Sequence, residues 1–516
     1  MKDLTSYVSN FEKLILGNFL YVDKTEYIWQ LIRPSSAGYF LSRPRRFGKS
    51  LTLSTLKAIF EGKKELFKGL ALYDKPYDWK KYPVIHLDMN GRDFSSLEKM
   101  EDRFRQILLE QAEINNVTLQ STSSDTMFHE LIKTLHDRDG NVVVLLDEYD
   151  KPILNNITHK DRMEFLGALK TFYSVIKEKN NMLRFVFITG VSKFCHVSLF
   201  SDLNNLTDIT MDARYATMFG YTQEELELHF GDRIAEFAAD QNVDDYKAKI
   251  KEWYNGYRFE AKAKTVYNPV SIANFFENQG VFNNYWFSTG TPSFLMELTK
   301  QRNFDFQEAL KEAVPQVAFS AFEINDIDPL TLLLQTGYIT IKSTEERFGQ
   351  TWYYLDFPNR EVTGAFSTYI LNSYAGKTQT ASVQFTAEIA TALLKKDLKK
   401  LRKIMEVFFA GIPYTAHKKQ EATFQTIFFS IFRLLGLYVE AESTTNDGRI
   451  DAVVQTDDAI FIFEFKLDND PTALEQIRQK EYFKKYLLDK REIYIIGVNF
   501  DSLKGNLVGW EQQKIN

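Results

Sequence analysis

The sequence predicts an α/β protein whose first part is a doubly wound parallel sheet, and two observations carry this prediction. Short apolar runs at 82–88, 142–146 and 183–190 alternate with longer stretches of helical pattern, as parallel strands joined by helices do. The run from Val142 to Leu146 is apolar throughout, which indicates a central strand covered on both faces. The first third of the chain should therefore form one parallel sheet between two layers of helices.

Composition limits the classes of function that the chain can have. The chain has 516 residues, 44% of them hydrophobic, and a net charge of −6, so it has no global basic field for nucleic acid. At roughly 100–200 residues per domain, about three domains are expected. The single cysteine, Cys195, excludes a disulfide framework and a cysteine-rich metal site. No secretory signal and no apolar run near the roughly 18 residues of a membrane span are present, which predicts a soluble cytoplasmic protein without a membrane partner.

A phosphate-binding loop is predicted at Arg43-Pro-Arg-Arg-Phe-Gly-Lys-Ser50. The segment follows an apolar run and opens a helical pattern, and loop and helix N–H groups in this context bind phosphate oxygens. Lys49 is expected to reach the β- and γ-phosphates of ATP, and the Ser50 hydroxyl to ligate Mg²⁺. Arg43 stands where the general pattern has glycine, and a plain helix start is the alternative interpretation. The predicted nucleotide-binding residues of this segment are Arg45, Arg46, Phe47, Gly48, Lys49, Ser50 and Leu51.

Two carboxylates follow the apolar strand at 142–146 and complete the predicted nucleotide site. Asp147 is expected to bind Mg²⁺ through water, and Glu148 to polarise the water that attacks the γ-phosphate. Thr189, at the end of the next apolar run, is a candidate for a polar sensor of the γ-phosphate, or else a strand-end residue bonded to its own turn. Acidic residues also end strands as turn formers, but a phosphate loop followed by this strand favours the nucleotide site. Lys193 and Arg214 are further candidate cations.

The middle of the chain predicts a helical region with a winged-helix-like unit. Residues 330–341 have the pattern of a helix, a turn and a strand, and 352–357 that of a partner strand. Because no basic recognition helix is evident, a lid on the ATPase is favoured over a DNA reader. The aromatic clusters at 253–259 and 285–292 are interpreted as core anchors in preference to a recognition surface. A polar linker is predicted at 375–384, and a single amphipathic helix with an apolar stripe at 393–405.

The last quarter carries a second carboxylate constellation. Glu464 and Lys466 are two residues apart in an otherwise apolar strand, so they share one face. If the preceding strand pairs with it in register, Asp451 belongs to that face too. Two carboxylates with a lysine are the groups that metal-dependent phosphodiester cleavage requires. Burial of Glu464 and Lys466 costs several kcal/mol unless they are paired or bound to metal, and an inward ion pair is the alternative.

Four motifs resemble the bacterial AAA-ATPase-like family, which is typically fused to a C-terminal nuclease-like domain of the PD-(D/E)xK superfamily. They are Tyr21-Val-Asp-Lys-Thr25, Arg43-Pro-Arg-Arg-Phe-Gly-Lys-Ser50, Leu145-Leu-Asp-Glu-Tyr-Asp150 and Asn204-Asn-Leu-Thr-Asp208. The resemblance covers essentially the whole chain and implies that Arg43 belongs to that family's own basic form of the phosphate loop. It also implies catalytic roles for Asp451, Glu464 and Lys466, metal binding by Asp451 and Glu464, and accessory roles for Glu421 and Gln476.

The resulting prediction is a P-loop NTPase with a doubly wound parallel sheet, followed by a helical and winged-helix-like region and a C-terminal α/β restriction-endonuclease-like domain. The predicted boundaries are 1–220 for the ATPase domain, 221–375 for the lid region and 385–516 for the nuclease-like domain. With ATP and Mg²⁺ as cofactors, the protein is predicted to be an ATPase with metal-dependent nuclease activity. Nucleic acid is the expected partner, DNA in preference to RNA, in DNA processing or defence, and self-association into a homo-oligomer stays open. The alternative is a nucleotide-switched binding protein whose nuclease fold is catalytically inactive.

Overall fold

The chain forms two compact units. The first comprises Met1–Thr289 and Val314–Asn359, and the second comprises Gly290–Ala313 and Arg360–Asn516. The three predicted domain boundaries remain a prediction. The computed structural model describes residues 2–157, 159–193, 206–239, 241–286, 293–302, 304–319, 328–376, 378–412, 421–436, 440–445, 450–467, 473–501 and 506–515. Cys195 and the start of the 204–208 motif lie outside these ranges.

The helices and strands within these ranges are numbered in chain order. The helices are α1 Phe11–Leu16, α2 Thr25–Ile32, α3 Lys49–Phe60, α4 Leu97–Ile114, α5 Ser124–Asp139, α6 Lys151–Leu154, α7 Arg162–Glu178, α8 Gln223–Ala238, α9 Val243–Tyr254, α10 Pro269–Glu277, α11 Ser293–Gln301, α12 Phe306–Lys311, α13 Pro329–Thr336, α14 Arg360–Ala375, α15 Gln379–Leu394, α16 Leu398–Ala410, α17 Glu421–Leu435 and α18 Ala473–Lys480. The strands are β1 Ala37–Ser42, β2 Val84–Asp88, β3 Val142–Asp147, β4 Leu183–Gly190, β5 Thr207–Asp208, β6 Val314–Pro315, β7 Thr340–Arg347, β8 Gln350–Asp356, β9 Glu440–Thr445, β10 Ile450–Gln455, β11 Ala459–Leu467, β12 Glu492–Asp501 and β13 Asn506–Lys514. Short 3-10 helices occur at Lys64–Phe67, Asn180–Met182, Ala213–Tyr215, Gln316–Phe319 and Tyr482–Tyr486.

A five-stranded parallel sheet organises the first unit. Its strand order is β2-β3-β4-β1-β5, and every neighbouring pair is parallel. All residues of β3 and β4 are buried, as expected for strands with an apolar run and helices on both faces. The predicted parallel sheet is confirmed, and the carboxyl ends of β1, β3 and β4 meet at one edge.

The helices of this unit follow the apolar pattern of the sequence. In α3, the residues Leu53, Leu56 and Ile59 are buried, so the helix that follows the loop packs along one stripe. The helical pattern between the apolar runs at 142–146 and 183–190 contains α7. The one between the runs at 82–88 and 142–146 is divided into α4 and α5, because a polar segment at 115–123 interrupts the apolar periodicity.

Three further helices, α8 to α10, enclose an aromatic core. Thr222 and Glu225 form a capping box at the start of α8, which satisfies two helix-end donors. Tyr254 and Tyr267 are fully buried in the cluster between these helices. Trp286 is also buried, so the interpretation of the aromatic clusters at 253–259 and 285–292 as core anchors is confirmed for Tyr254 and Trp286.

A small antiparallel sheet has the strand order β6-β8-β7, and its strands β7 and β8 follow α13 in the helix–turn–strand arrangement that the sequence predicts. The Asp328 side chain accepts hydrogen bonds from the first turn of α13, and Gly337 ends the helix with φ of +85°. Glycine is favoured at this left-handed position. The winged-helix-like element is therefore present in the first unit.

The second unit contains a mixed sheet with strand order β13-β12-β11-β10-β9. β11 and β12 are parallel, and the other neighbours are antiparallel. Phe428 of α17 packs against Phe465 on one face of β11, with ring centroids 4.2 Å apart. Ile462 packs with Leu474 and the rest of α18 on the opposite face. A mixed sheet between two helical layers agrees with the predicted restriction-endonuclease-like fold.

Two predictions for the segment between 375 and 405 are wrong. The predicted linker is helical from Gln379, because the Thr378 side chain accepts a hydrogen bond from Ala381 N and caps α15. The single helix predicted for 393–405 is instead the end of α15 and the start of α16. Lys396 adopts φ of +54° between them, and Leu394 is exposed instead of belonging to the apolar stripe.

None of the described helices is long and apolar enough to cross a bilayer.

Candidate functional sites

The predicted phosphate loop joins β1 to α3. β1 ends at Ser42 and α3 begins at Lys49, so the loop lies at the carboxyl edge of the parallel sheet, where ligands bind in open α/β folds. Gly48 precedes the helix with φ of +92°, a conformation that costs glycine little. The first N–H groups of an α-helix have no acceptor within the helix. This geometry is the one that binds phosphate oxygens.

Lys49 lies inside the loop. Its side chain is buried, and Nζ donates hydrogen bonds to the carbonyl oxygens of Arg43 and Pro44, at 2.9 and 3.0 Å. Burial lowers the pKa of Lys49, while the charges of Asp147 and Glu148 act in the opposite direction. A buried ammonium costs free energy that a bound anion would offset. The loop is therefore built around a cation suited to phosphate.

The Asp147 carboxylate accepts hydrogen bonds from two of the other predicted residues. Ser50 Oγ donates to Asp147 Oδ2 at 2.5 Å, and Thr189 Oγ1 donates to Asp147 Oδ1 at 2.6 Å. The three residues come from α3, β3 and β4, which the parallel sheet brings to one edge. The Thr189 hydroxyl thus bonds the carboxylate of the neighbouring strand, and its role as a polar sensor of the γ-phosphate stays a prediction.

Glu148 follows in an unusual backbone conformation. Its φ is +53°, a value that few non-glycine residues adopt and that is concentrated at functional sites. Its N–H donates to Asp147 Oδ1 at 3.0 Å. Lys151 Nζ donates to Glu148 Oε2 at 3.1 Å and to Asn90 Oδ1 at 2.5 Å. The Glu148 carboxylate is thereby fixed next to Asp147.

Sequence reasoning assigned no role to three residues that border this site, namely Asp88, Asn90 and Lys151. The register of β2 and β3 aligns Asp88 with Asp147. The signal was present in the sequence, because Asp88 ends an apolar run as Asp147 does. Nothing in the sequence marks Lys151 as the partner of both Glu148 and Asn90, since that contact depends on how the two strand ends meet.

Asp150 ties the segment after β3 to the end of β4. Its buried carboxylate accepts hydrogen bonds from Val191 N at 3.1 Å and from Ser192 N and Oγ at 2.7 Å. Gly190 permits this contact, since a Cβ there would come within 2.5 Å of the Tyr149 ring. These interactions hold Glu148 and Thr189 in fixed relative positions.

The side chain of Arg43 does not join this group. It is buried, and Nη1 donates to the carbonyl oxygens of Ser42 and Thr210, at 2.9 and 2.5 Å. The guanidinium lies 4.4 Å from the ring centroid of Phe259, within the range of a cation–π contact. The Arg43 side chain therefore makes a packing contact next to β5.

The side chains of the remaining loop residues differ in their exposure to solvent. Phe47 is buried against Tyr257 and Phe259, with ring centroids 4.9 and 5.1 Å away, so only its main chain is available to a nucleotide. Arg45 is exposed, and its carbonyl accepts a hydrogen bond from Trp286 Nε1 at 3.3 Å. Arg46 is half-buried with φ of +69°, and Leu51, also half-buried, lies in the first turn of α3.

The two further candidate cations have local carboxylate partners. Lys193 Nζ lies 2.6 Å from Asp208 Oδ2, with both groups largely buried. Arg214 Nη2 lies 2.6 Å from Asp212 Oδ2, and its side chain is mostly exposed. Neither residue contacts Asp147 or Glu148 through an observed hydrogen bond, so the structure does not bring them into the nucleotide site.

The second candidate site lies on β11 of the mixed sheet. Asp451 of β10 is the residue opposite Glu464 of β11, and directly opposed residues of an antiparallel pair lie on the same face. In this register, the positions of Asp451, Glu464 and Lys466 share one face of the sheet, as predicted from the sequence. The side chain of Asp451 lies outside the described part of the chain.

Glu464 and Lys466 are both buried, with exposed fractions of 0% and 8%. By the two-residue period of a strand they share the face of Ile462, which α18 covers. α18 approaches the sheet closely, since a Cβ at Gly497, the partner of Glu464 on β12, would lie 2.4 Å from Leu474 N. The close approach explains why a glycine occupies this position.

The two accessory residues belong to different helical layers. Gln476 of α18 is buried, and its Nε2 has no hydrogen-bond partner among the described residues. Glu421 begins α17, whose aromatic residues pack on the other face of β11, and its side chain lies outside the described part. Among the described side chains, no group of three or more His, Cys, Asp or Glu forms a metal-binding arrangement.

Comparison with known proteins connects both sites to families. Residues 7–200 match the AAA-ATPase-like family, described as "Predicted AAA-ATPase". Residues 419–510 match the PD-(D/E)XK nuclease superfamily. A protein of Azotobacter chroococcum mcd 1, described as "Uncharacterized protein in vnfD 5'region", is 36% identical over 522 residues, which cover 99% of this chain and 98% of that protein. The chain therefore belongs to the AAA-ATPase-like family and carries, after its ATPase-like domain, a domain of the PD-(D/E)XK nuclease superfamily.

Proposed function

We propose that the protein binds and hydrolyses ATP with Mg²⁺ and that this ATPase is coupled to a metal-dependent nuclease domain. The observation that carries the first half is the convergence of Ser50 and Thr189 on the Asp147 carboxylate. These groups come from separate segments of the chain, which meet at the edge of the sheet next to the phosphate loop. An arrangement of this kind serves phosphoryl transfer, which depends on positioning and charge stabilisation.

Each residue has a defined task in the proposed ATPase reaction. Main-chain N–H groups around Gly48 hold the phosphates, and Lys49 exchanges its carbonyl acceptors for phosphate oxygens. Ser50 and Asp147 supply oxygen ligands, the type that Mg²⁺ prefers, and the bound ion would neutralise charge that develops on the phosphates. Glu148 orients the attacking water and accepts its proton, while Thr189 keeps Asp147 in place.

For the nuclease domain, we propose phosphodiester cleavage in nucleic acid, with DNA as the favoured substrate. Asp451 and Glu464 would hold a divalent cation, and Lys466 would stabilise the attacking water or the developing charge. The opposed positions of Asp451 and Glu464 in the sheet support this assignment. The Nε2 of Gln476, buried on α18, offers an unused donor in the layer that covers them.

The proposal is tested with the full chain in a paired assay of ATP hydrolysis and DNA cleavage, both with Mg²⁺. Asp451→Ala should abolish cleavage and leave hydrolysis intact, whereas Glu148→Gln should abolish hydrolysis. If cleavage by the wild type also requires ATP, the two domains are coupled. Wild-type protein that cleaves neither DNA nor RNA under any nucleotide condition would contradict the nuclease half without affecting the ATPase half.

A nucleotide-switched binding protein with an inactive nuclease fold is the second candidate. The observation that favours it is the burial of Glu464 and Lys466, because an internal charge pair in a strand is a structural alternative to a metal site. Manganese binding separates the two. An active site should bind Mn²⁺ in the wild type and lose it in Glu464→Gln, whereas the inactive fold should bind no Mn²⁺ at this position.

A further inference from the structure

A small cavity lies beside the phosphate loop, within the first unit. Arg43 and Pro44 of the loop line it, together with Phe259, Gln335 of α13 and Ile341 of β7. Its volume is about 40 Å³, by a measure in which one water occupies about 10–15 Å³. It therefore has room for about three water-sized groups, which is enough for the polar head and short body of a small molecule.

Arg43 brings to this cavity a cation whose donors are only partly used. Its side chain is 1% exposed, and Nη1 alone donates, to Ser42 and Thr210. Nε and Nη2 have no hydrogen-bond partner within the described ranges. These two N–H groups lie on the same edge of the planar guanidinium, so they form a fork that matches the two oxygens of an oxyanion. Buried donors left without an acceptor are costly, and a ligand would remove that cost.

Gln335 places a second unused donor on the cavity wall. Its side chain is 9% exposed, and Nε2 has no partner among the described residues. The orientation of the amide is fixed, since Oε1 accepts a hydrogen bond from Lys193 N at 2.8 Å. Two residues that are distant in the sequence and that both line the cavity thus carry buried, unsatisfied donors.

The charges near the cavity favour an anion. The Asp208 carboxylate is bound to Lys193, which leaves in excess the guanidinium of Arg43 and that of Arg258, a second arginine on the wall. Burial lowers the pKa of Arg43 to about 9, so the side chain stays protonated at neutral pH. The rest of the wall is mainly apolar, with residues such as Phe319, Ile339 and Ile341, which suits a carbon body better than a fully charged phosphate.

We propose that this cavity is a second ligand site, which binds a small monocarboxylate with a short apolar body on the Nε–Nη2 edge of Arg43. The amide of Gln335 is an additional donor to the carboxylate, and the apolar wall encloses the body. The site is continuous with the phosphate loop, since the carbonyl of Arg43 accepts a hydrogen bond from Lys49. It is nevertheless distinct from the nucleotide site, because the guanidinium of Arg43 bonds to the residues that follow β5.

Isothermal titration of the full chain with acetate tests the proposal, because its two oxygens and one methyl group match the three water-sized groups that the cavity holds. Acetamide has the same size without the negative charge and serves as the ligand control. Acetate should bind with one site per chain at millimolar or lower concentration, and acetamide at least tenfold more weakly. Acetate binding should persist in Lys49→Ala. Binding of inorganic phosphate to the phosphate loop should be lost in the same variant, which separates the two sites.

Two variants locate the binding. Leu334 is half-buried on the cavity wall, so Leu334→Trp should fill the space and weaken acetate binding at least tenfold, whereas Leu228→Trp at an exposed position should not change it. Arg43→Met should also abolish binding, and its thermal unfolding shows whether it folds. If Arg43→Met does not fold, Leu334→Trp decides alone.

Three results would overturn the proposal. They are no acetate binding by the wild type at millimolar concentration, equal affinity for acetate and acetamide, or unchanged binding in Leu334→Trp. Inorganic phosphate that competes with acetate in both wild type and Lys49→Ala would overturn the assignment to a carboxylate.

Discussion

The two candidate sites are assembled in different ways. At the nucleotide site, Ser50 and Thr189 already donate hydrogen bonds to Asp147, so three segments of chain meet through side chains. On the nuclease-like strand, Asp451 and Glu464 are related by strand register, and Lys466 follows two residues later. The nucleotide site is thus a multi-segment site, defined by contacts, whereas the nuclease-like site is a strand-built site, defined by the face that its residues share.

This difference changes how each site responds to mutation. In the multi-segment site, the residues support one another, so removal of one hydroxyl or carboxylate also releases its neighbour. In the strand-built site, Glu464 and Lys466 are held by the sheet itself and by α18 above it. We therefore expect a substitution at the nucleotide site to disturb neighbouring residues as well, and a substitution at the nuclease-like strand to reduce cleavage while the fold is retained.

Lys49→Ala should have the largest effect. Removal of the buried ammonium takes away a charge that stabilises the transferring phosphate, and losses on the order of 10²–10³-fold in kcat are typical for one such donor. The measurement is Mg²⁺-dependent ATP hydrolysis at saturating ATP. Lys57→Ala, on the same helix but paired with Glu61 at its other end, is the matched control and should hydrolyse ATP like the wild type.

Lys466→Met tests the strand-built site. Methionine keeps the length of the side chain and removes its charge, so the fold should be retained while DNA cleavage falls by on the order of 10²-fold or more. Cleavage of linear and supercoiled DNA is measured beside Lys514→Met, which changes an exposed lysine of β13. Undiminished cleavage by Lys466→Met would show that the charge at 466 is structural.

Thr189→Val should have an intermediate effect. It removes the hydroxyl that donates to Asp147 and leaves the shape of the side chain unchanged. A hydrogen bond to a charged group contributes about 1.5–3 kcal/mol, so the rate of ATP hydrolysis should fall at least about tenfold. Thr171→Val is the control, since that hydroxyl bonds only to the Gly167 carbonyl of its own helix. An unchanged rate in Thr189→Val would mean that ATP hydrolysis does not depend on the hydrogen bond from Thr189 to Asp147.

Gly190→Ala and Gly497→Ala should have the smallest effects, and they compare the scaffolds of the two sites. An added Cβ would lie 2.5 Å from Tyr149 in the first and 2.4 Å from Leu474 N in the second. Overpacking of this kind costs about 1–3 kcal/mol, measured as the free energy of unfolding. Gly167→Ala, in the middle of α7 with nothing within 4 Å, should instead stabilise by about 0.5–1 kcal/mol. Equal stability of all three variants would refute the close approach at both glycines.

The sequence predicts the strands that carry both sites, because those strands are buried on both faces and their side chains are correspondingly apolar. β3 and β4 were therefore recognisable, and so was β11, where Glu464 and Lys466 interrupt an apolar run. The catalytic pattern of the loop was also visible in Lys49 and Ser50, since chain-adjacent residues need no tertiary information.

Contacts between distant segments could not be predicted. Arg43 packs on Phe259, and Lys151 bonds to Asn90, and no local pattern marks either pair. The predicted linker at 375–384 was wrong for a related reason: polar residues there begin a helix once Thr378 caps it, and composition alone does not distinguish a polar helix face from a linker.

The most direct test of the central claim is Glu148→Gln, assayed for both ATP binding and ATP hydrolysis. Glutamine keeps the size of the side chain but does not accept the proton of the attacking water. The assignment predicts that the variant binds Mg²⁺–ATP with wild-type affinity and hydrolyses it at least about 10²-fold more slowly. Hydrolysis at the wild-type rate would contradict it, and so would a wild-type protein that does not bind ATP.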